Sequence, residues 1–204
     1  MTGEEALRLA AVLPVLTIER VEDAVPLARA ILEGGLPAVE ITLRTPVALQ
    51  AMEAVARGAP ELRIGAGTVL NAQDLRQSID AGARFALSPG FAADIPANAA
   101  IPYIPGVATA SEVMRGLAAG FTAFKFFPAA SMGGAATLGA YIAPMPQALF
   151  CPTGGVTLES AAKYLALSNV LCVGGSWIAP LDTVRARDWA KIRANAAAAA
   201  QLKK

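Results

Sequence analysis

Short β-branched and apolar runs alternate along the chain with stretches of helical periodicity, at a spacing of roughly 20 to 25 residues. The runs 12–18, 38–43, 63–69, 85–88, 101–104, 123–127, 148–151 and 170–173 read as strands. Segments 21–33, 46–57, 72–81 and 111–119 read as helices between them. Helix starts are marked by Thr45-Pro46 and by Asn71-Ala72-Gln73-Asp74, and helix ends by Gly34-Gly35, Gly58, Gly82 and Gly120. A short N-terminal helix over 7–11 is expected to close the base, and the alanine-rich stretch 190–202 to form the last outer helix. Eight strand–helix units with no linker-like shift in composition predict one α/β domain over 1–204, a compact (β/α)8 TIM barrel. A doubly wound open sheet is the alternative. A barrel this small has short loops, which favours a small substrate.

Composition narrows the chemistry. Hydrophobic residues make up 55% of the chain, but alanine supplies much of this. The apolar runs are broken by Gly, Pro or charge, short of the roughly 20 residues that a membrane span needs. The start, Met1-Thr2-Gly3-Glu4-Glu5, is acidic and unlike a signal peptide, so a cytoplasmic protein is expected. A net charge of +1 gives no electrostatic reason to bind nucleic acid or an anionic membrane. Cys151 and Cys172 sit in apolar runs and read as buried thiols rather than a disulfide or a metal pair. The chain has no histidine, which excludes histidine triads, histidine-ligated zinc and imidazole proton shuttles. Catalysis falls to Lys, Glu, Asp, Tyr, Cys or Ser, with no metal or cofactor.

Two strands carry charge where apolar residues are expected. In 38–44, Glu40, Thr42 and Arg44 share one face while Val39, Ile41 and Leu43 share the other. Glu40 either pairs with Arg44 for stability or does acid–base work at the barrel mouth, where such sites lie. In 123–128, Lys125 stands among Phe124, Phe126 and Phe127, whereas Lys163, Lys191, Lys203 and Lys204 fall on helix surfaces or the tail. Burial favours the uncharged amine, the form that attacks a ketone to make an imine. The alternatives are a lysine that snorkels out of a strand end or one that neutralises Glu40.

Glycine-rich strand ends complete the picture. Gly65-Ala66-Gly67-Thr68 lacks the third glycine and acidic partner of a dinucleotide motif; its small residues are expected to keep the mouth open. The Thr68 hydroxyl and the Arg44 guanidinium are candidates for a substrate carboxylate. The turns Thr153-Gly154-Gly155 and Gly174-Gly175-Ser176 follow the last two strands, where barrels often bind phosphate through backbone N–H groups. The other reading is that these glycines only permit tight turns.

Taken in order, these motifs resemble the bacterial 2-keto-3-deoxy-6-phosphogluconate (KDPG) and 2-keto-4-hydroxyglutarate (KHG) aldolase family. The resemblance runs from Glu40-Ile41-Thr42-Leu43-Arg44 through Gly65-Ala66-Gly67-Thr68, Ser88-Pro89-Gly90 and Ile104-Pro105-Gly106. It continues in Phe124-Lys125-Phe126-Phe127-Pro128, Cys151-Pro152-Thr153-Gly154-Gly155 and Gly174-Gly175-Ser176-Trp177. It implies a homotrimeric barrel that cleaves KDPG to pyruvate and glyceraldehyde 3-phosphate without a metal. It places Lys125 at the Schiff-base position, Glu40 at the acid–base position, and Arg44 and Thr68 at the pyruvate carboxylate. Pro89 and Phe127 would line the pocket, while Thr153, Gly154, Gly155, Gly175 and Ser176 would meet the phosphate end. KHG cleavage as the main activity, a sugar-phosphate isomerase or epimerase using Glu40 as base, and a catalytically dead scaffold or sensor are the competing functions.

Overall fold

The computed structural model describes residues 1–202; Lys203 and Lys204, expected on the tail, lie outside the described residues. Strands β1 (Val12–Leu16), β2 (Ala38–Thr42), β3 (Arg63–Gly67), β4 (Phe85–Leu87) and β5 (Tyr103–Ile104) form the first half of the sheet. The second half is β6 (Gly106–Val107), β7 (Ala123–Phe126), β8 (Leu149–Pro152) and β9 (Val173–Gly175). Every strand pairing is parallel. The ladders join in two groups, β5-β4-β3-β2-β1-β9 and β6-β7-β8, which establishes a curled parallel sheet in an α/β fold rather than one continuous closed ladder. Pro105 separates β5 from β6: it has no N–H to continue a ladder, and its carbonyl accepts from the Lys125 N–H at 2.9 Å. Two isolated parallel bridges, Phe150↔Val170 and Thr153↔Gly174, link the β8 side to the β9 side.

The helices are α1 (Gly3–Leu7), α2 (Val21–Glu33), α3 (Ala48–Gly58), α4 (Ala72–Asp80), α5 (Ala110–Ala118), α6 (Gly134–Tyr141), α7 (Leu158–Leu165), α8 (Leu181–Arg185) and α9 (Trp189–Ala200). Helix α2 shows why they coat the sheet: Ala24, Leu27, Ala28 and Ile31 recur at helical spacing and are buried. They belong to the same apolar layer as Val39, Ile41 and Ile64, the outward residues of β2 and β3. A second, smaller cluster fills the inside of the curl. Leu13, Phe85, Leu87, Ile104, Cys151 and Cys172 meet there, with Ala6 and Leu7 of α1 packed against them from the strand N-terminal end.

Several boundaries differ from the sequence expectation. The N-terminal helix spans Gly3–Leu7 rather than 7–11, because Thr2 and Glu5 form a capping box that fixes its start. Helix α3 begins at Ala48 rather than 46, and Val47, not Thr45, is its cap. Strand β9 lies at Val173–Gly175 rather than 170–173, and β6 falls beyond the expected 101–104 run. Asn71 does cap α4, accepting from the Asp74 N–H at 2.9 Å.

Candidate active site

Parallel strands bring all their C-terminal ends to one rim, and the chemistry collects just beneath it. Glu40 on β2 and Lys125 on β7 are 85 residues apart in sequence, yet Lys125 Nζ donates to Glu40 Oε1 at 2.6 Å. Their side chains retain 2% and 0% exposure for Lys125 and Glu40. The second carboxylate oxygen, Glu40 Oε2, has no partner among the described residues. An unpaired carboxylate oxygen at full burial is costly, so the site holds an acceptor ready for a water or a substrate hydroxyl. The Lys125 ammonium position also lies 5.7 Å from the centre of the Phe127 ring.

The expected stabilising alternative for Glu40 does not hold. Arg44 is exposed and turns to the next strand end, where its Nε donates to Thr68 Oγ1 at 3.1 Å. Thr68 itself has φ +60°, a left-handed conformation that a β-branched residue adopts at a cost. The fold therefore holds the Thr68 hydroxyl beside the guanidinium against a local preference.

Glycines near the pair do something other than keep the mouth open. A Cβ on Gly67 would overlap the Glu40 carboxylate, and one on Gly65 would overlap the Phe85 ring. These positions admit large side chains from neighbouring strands into the interior. The glycines of the turns at 153–155 and 174–176 likewise have packing reasons. Gly154 (φ +96°) and Gly155 (φ +74°) are left-handed; a Cβ on Gly174 would strike the Thr153 side chain, and one on Gly175 the Trp177 ring. Thr153 is buried, with its hydroxyl 3.4 Å from the Cys151 carbonyl. Ser176 is exposed and lines a cleft of about 490 Å3 shared with Val15, Thr17, Thr157 and Trp177. Pro89 lies apart from that cleft, in a depression of about 210 Å3 with Val69 and Phe91.

Cys151 is in register with Lys125, and both it and Cys172 are free and buried. The neighbouring Cys151 thiol, with burial behind it, pushes the Cys172 thiol well above the usual range, so it is no thiolate nucleophile. Among the described residues, no group of three or more His, Cys, Asp or Glu side chains is gathered for a metal ion, and no helix is long and apolar enough to cross a membrane.

A known family model, that of the KDPG and KHG aldolases, matches the chain over residues 4–195. The chain belongs to this family. A KHG/KDPG aldolase of Escherichia coli (strain K12) is 44% identical over 94% of this chain and 91% of its own length. A 2-dehydro-3-deoxy-phosphogluconate aldolase of Zymomonas mobilis is 46% identical over 98% of this chain and 96% of its own. A solved KDPG aldolase of Legionella pneumophila, with pyruvate captured as a covalent carbinolamine, superposes with a TM-score of 0.96 at 43% identity. That match covers 98% of this chain and 99% of the Legionella chain.

Within this aldolase framework, sequence reasoning overlooked three hydroxyls at the rim. Thr42 was placed on the right face but given no partner; it donates to the Leu16 carbonyl at 2.8 Å. Thr17 lies 3.3 Å from Thr42 Oγ1, and Thr157 caps α7 by accepting from the Ser160 N–H at 3.2 Å. Thr17 was detectable as the one hydroxyl in the apolar run 12–18.

Proposed function

We propose that this chain is a Schiff-base aldolase that cleaves KDPG to pyruvate and D-glyceraldehyde 3-phosphate, with Lys125 as nucleophile. The observation that carries the proposal is the 2.6 Å contact between two almost fully buried groups, Lys125 Nζ and Glu40 Oε1. A buried ion pair stabilises a fold little, whereas an amine beside a carboxylate is what imine formation and proton transfer both require.

The Lys125 amine adds to the C2 ketone to give a carbinolamine, and loss of water gives a protonated imine. Glu40, through a water at its open Oε2, takes the proton of the C4 hydroxyl. The C3–C4 bond breaks, its electron pair moves into the imine, and the aldehyde leaves an enamine behind. The same proton returns to C3, and water releases pyruvate from Lys125. Arg44 and Thr68 hold the substrate carboxylate so that the ketone faces the amine. Phe127 and Pro89 border the path, and Ser176 with the turns at Thr153, Gly154, Gly155 and Gly175 receives the phosphate end. No metal or cofactor takes part.

The strands follow one another in chain order around the curl, and the Phe150↔Val170 and Thr153↔Gly174 bridges favour closure of a single (β/α)8 barrel over 1–204. The family resemblance carries a homotrimer, and two free buried thiols fit a reducing cytoplasm. KHG cleavage is the second reading, favoured by the double name of the Escherichia coli relative.

Reduction with sodium borohydride in the presence of pyruvate tests the chemistry. One reduced pyruvyl group is expected at Lys125, with irreversible loss of activity. An adduct at Lys163 or Lys191, or none, overturns the mechanism and returns Glu40 to an isomerase-type base.

A further inference from the structure

We infer that Thr17 is a specificity-determining residue of this site: its oxygen accepts a hydrogen bond from a hydroxyl of the sugar-acid chain, between the lysine and the phosphate end. The inference rests on the aldolase reading above and deepens it.

A threonine hydroxyl has one proton and two lone pairs. Thr42 spends its proton on the Leu16 carbonyl at 2.8 Å. The 3.3 Å contact between Thr17 Oγ1 and Thr42 Oγ1 then has one polarity: Thr17 donates and Thr42 accepts. With its own proton committed, the Thr17 oxygen offers only lone pairs elsewhere. Thr17 is half-buried and lines the same cleft of about 490 Å3 as Ser176 and Thr157. It follows β1, whose Val15 is in register with Glu40, and it sits against Thr42, two residues beyond Glu40 on the same face. It is therefore between the reacting pair and the Ser176 turn.

An acceptor-only oxygen at that point discriminates by chemistry. KDPG carries a C5 hydroxyl there, which is a donor. KHG ends at C5 in a carboxylate, which at neutral pH is an acceptor and gains nothing from another acceptor. Thr17 thus favours a phosphorylated polyhydroxy acid over a short dicarboxylate, independently of how the phosphate is held.

Thr17→Val tests this, because valine keeps the volume and leaves the Thr42–Leu16 bond in place. Turnover and borohydride trapping by the unmodified protein come first; failure there overturns the aldolase reading, and this assignment with it. Given turnover, kcat/KM for KDPG should fall roughly three- to tenfold in the variant, the value of one neutral hydrogen bond, and for KHG by less than about twofold. On the analogue of KDPG that lacks only the C5 hydroxyl, the variant and the parent should be equal, and Thr17→Ser should restore most of the KDPG rate. Unchanged KDPG cleavage overturns the assignment. So does a loss that is equal on both substrates or that persists on the analogue, since either would mark Thr17 as structural.

Discussion

From base to rim, the inward positions of β2, β7 and β8 change character in step. At the base they are Ala38, Ala123 and Leu149; two residues on they are Glu40, Lys125 and Cys151; two more bring Thr42, Phe127 and Thr153. Each step is about 7 Å along a strand. The lowest level, with Phe85 and the α1 residues Ala6 and Leu7, is apolar and closed. The uppermost carries the hydroxyls of Thr42 and Thr153, both buried, beside the partly exposed Phe127. The ionic pair lies at the boundary, desolvated from below and reachable from above. Position along one strand therefore separates what holds the fold from what handles substrate, with the pair the only level that serves both.

Substitutions at the three levels should part accordingly. The largest effect belongs to the pair: Lys125→Ala should abolish cleavage and form no adduct. Glu40→Gln should still trap pyruvate while losing roughly 10²- to 10⁴-fold in kcat; near-normal turnover in that variant would move proton transfer to another group. At the base, Phe85→Ala should cost about 3–5 kcal/mol of stability, read from urea melts, with the remaining folded enzyme turning over normally. A stable but inactive Phe85→Ala would erase the distinction between levels. The smallest change is at the rim, where Ser176→Leu blocks the cleft and removes a hydroxyl. There kcat/KM for KDPG should drop by roughly tenfold or more with little change for KHG and an unaltered melting curve. An equal loss on both substrates would leave the chemistry standing and reduce the glycine turns to packing.

The level structure was partly legible in sequence because β2 has two different faces. Val39 and Ile41 join the sheet–helix layer while Glu40 turns inward, and alternation alone separates them. Lys125 stood out for a similar reason, a charge inside an aromatic strand. What alternation cannot give is the partner across the curl. Glu40 meets Lys125 rather than the nearby Arg44, a choice set by how β2 and β7 face each other and not by anything local. The N-terminal helix is a different kind of miss, since Thr2 and Glu5 carry the capping-box spacing in plain view. At β9 the apolar run 170–173 outweighed the glycines, whose low strand preference hides the ladder that 173–175 makes with β1. The glycines of β3 were read correctly as special but for the wrong reason, because the side chains they admit come from β2 and β4.

Gly67 has a consequence beyond packing. The room for the Glu40 carboxylate is supplied by a residue on another strand that has no side chain to give up. Any change at 67 that adds a Cβ is a change to the seat of the Glu40 carboxylate, although position 67 brings no reactive atom of its own. The two positions are therefore coupled: a side chain at 67 obliges the Glu40 carboxylate to move from its place beside Lys125.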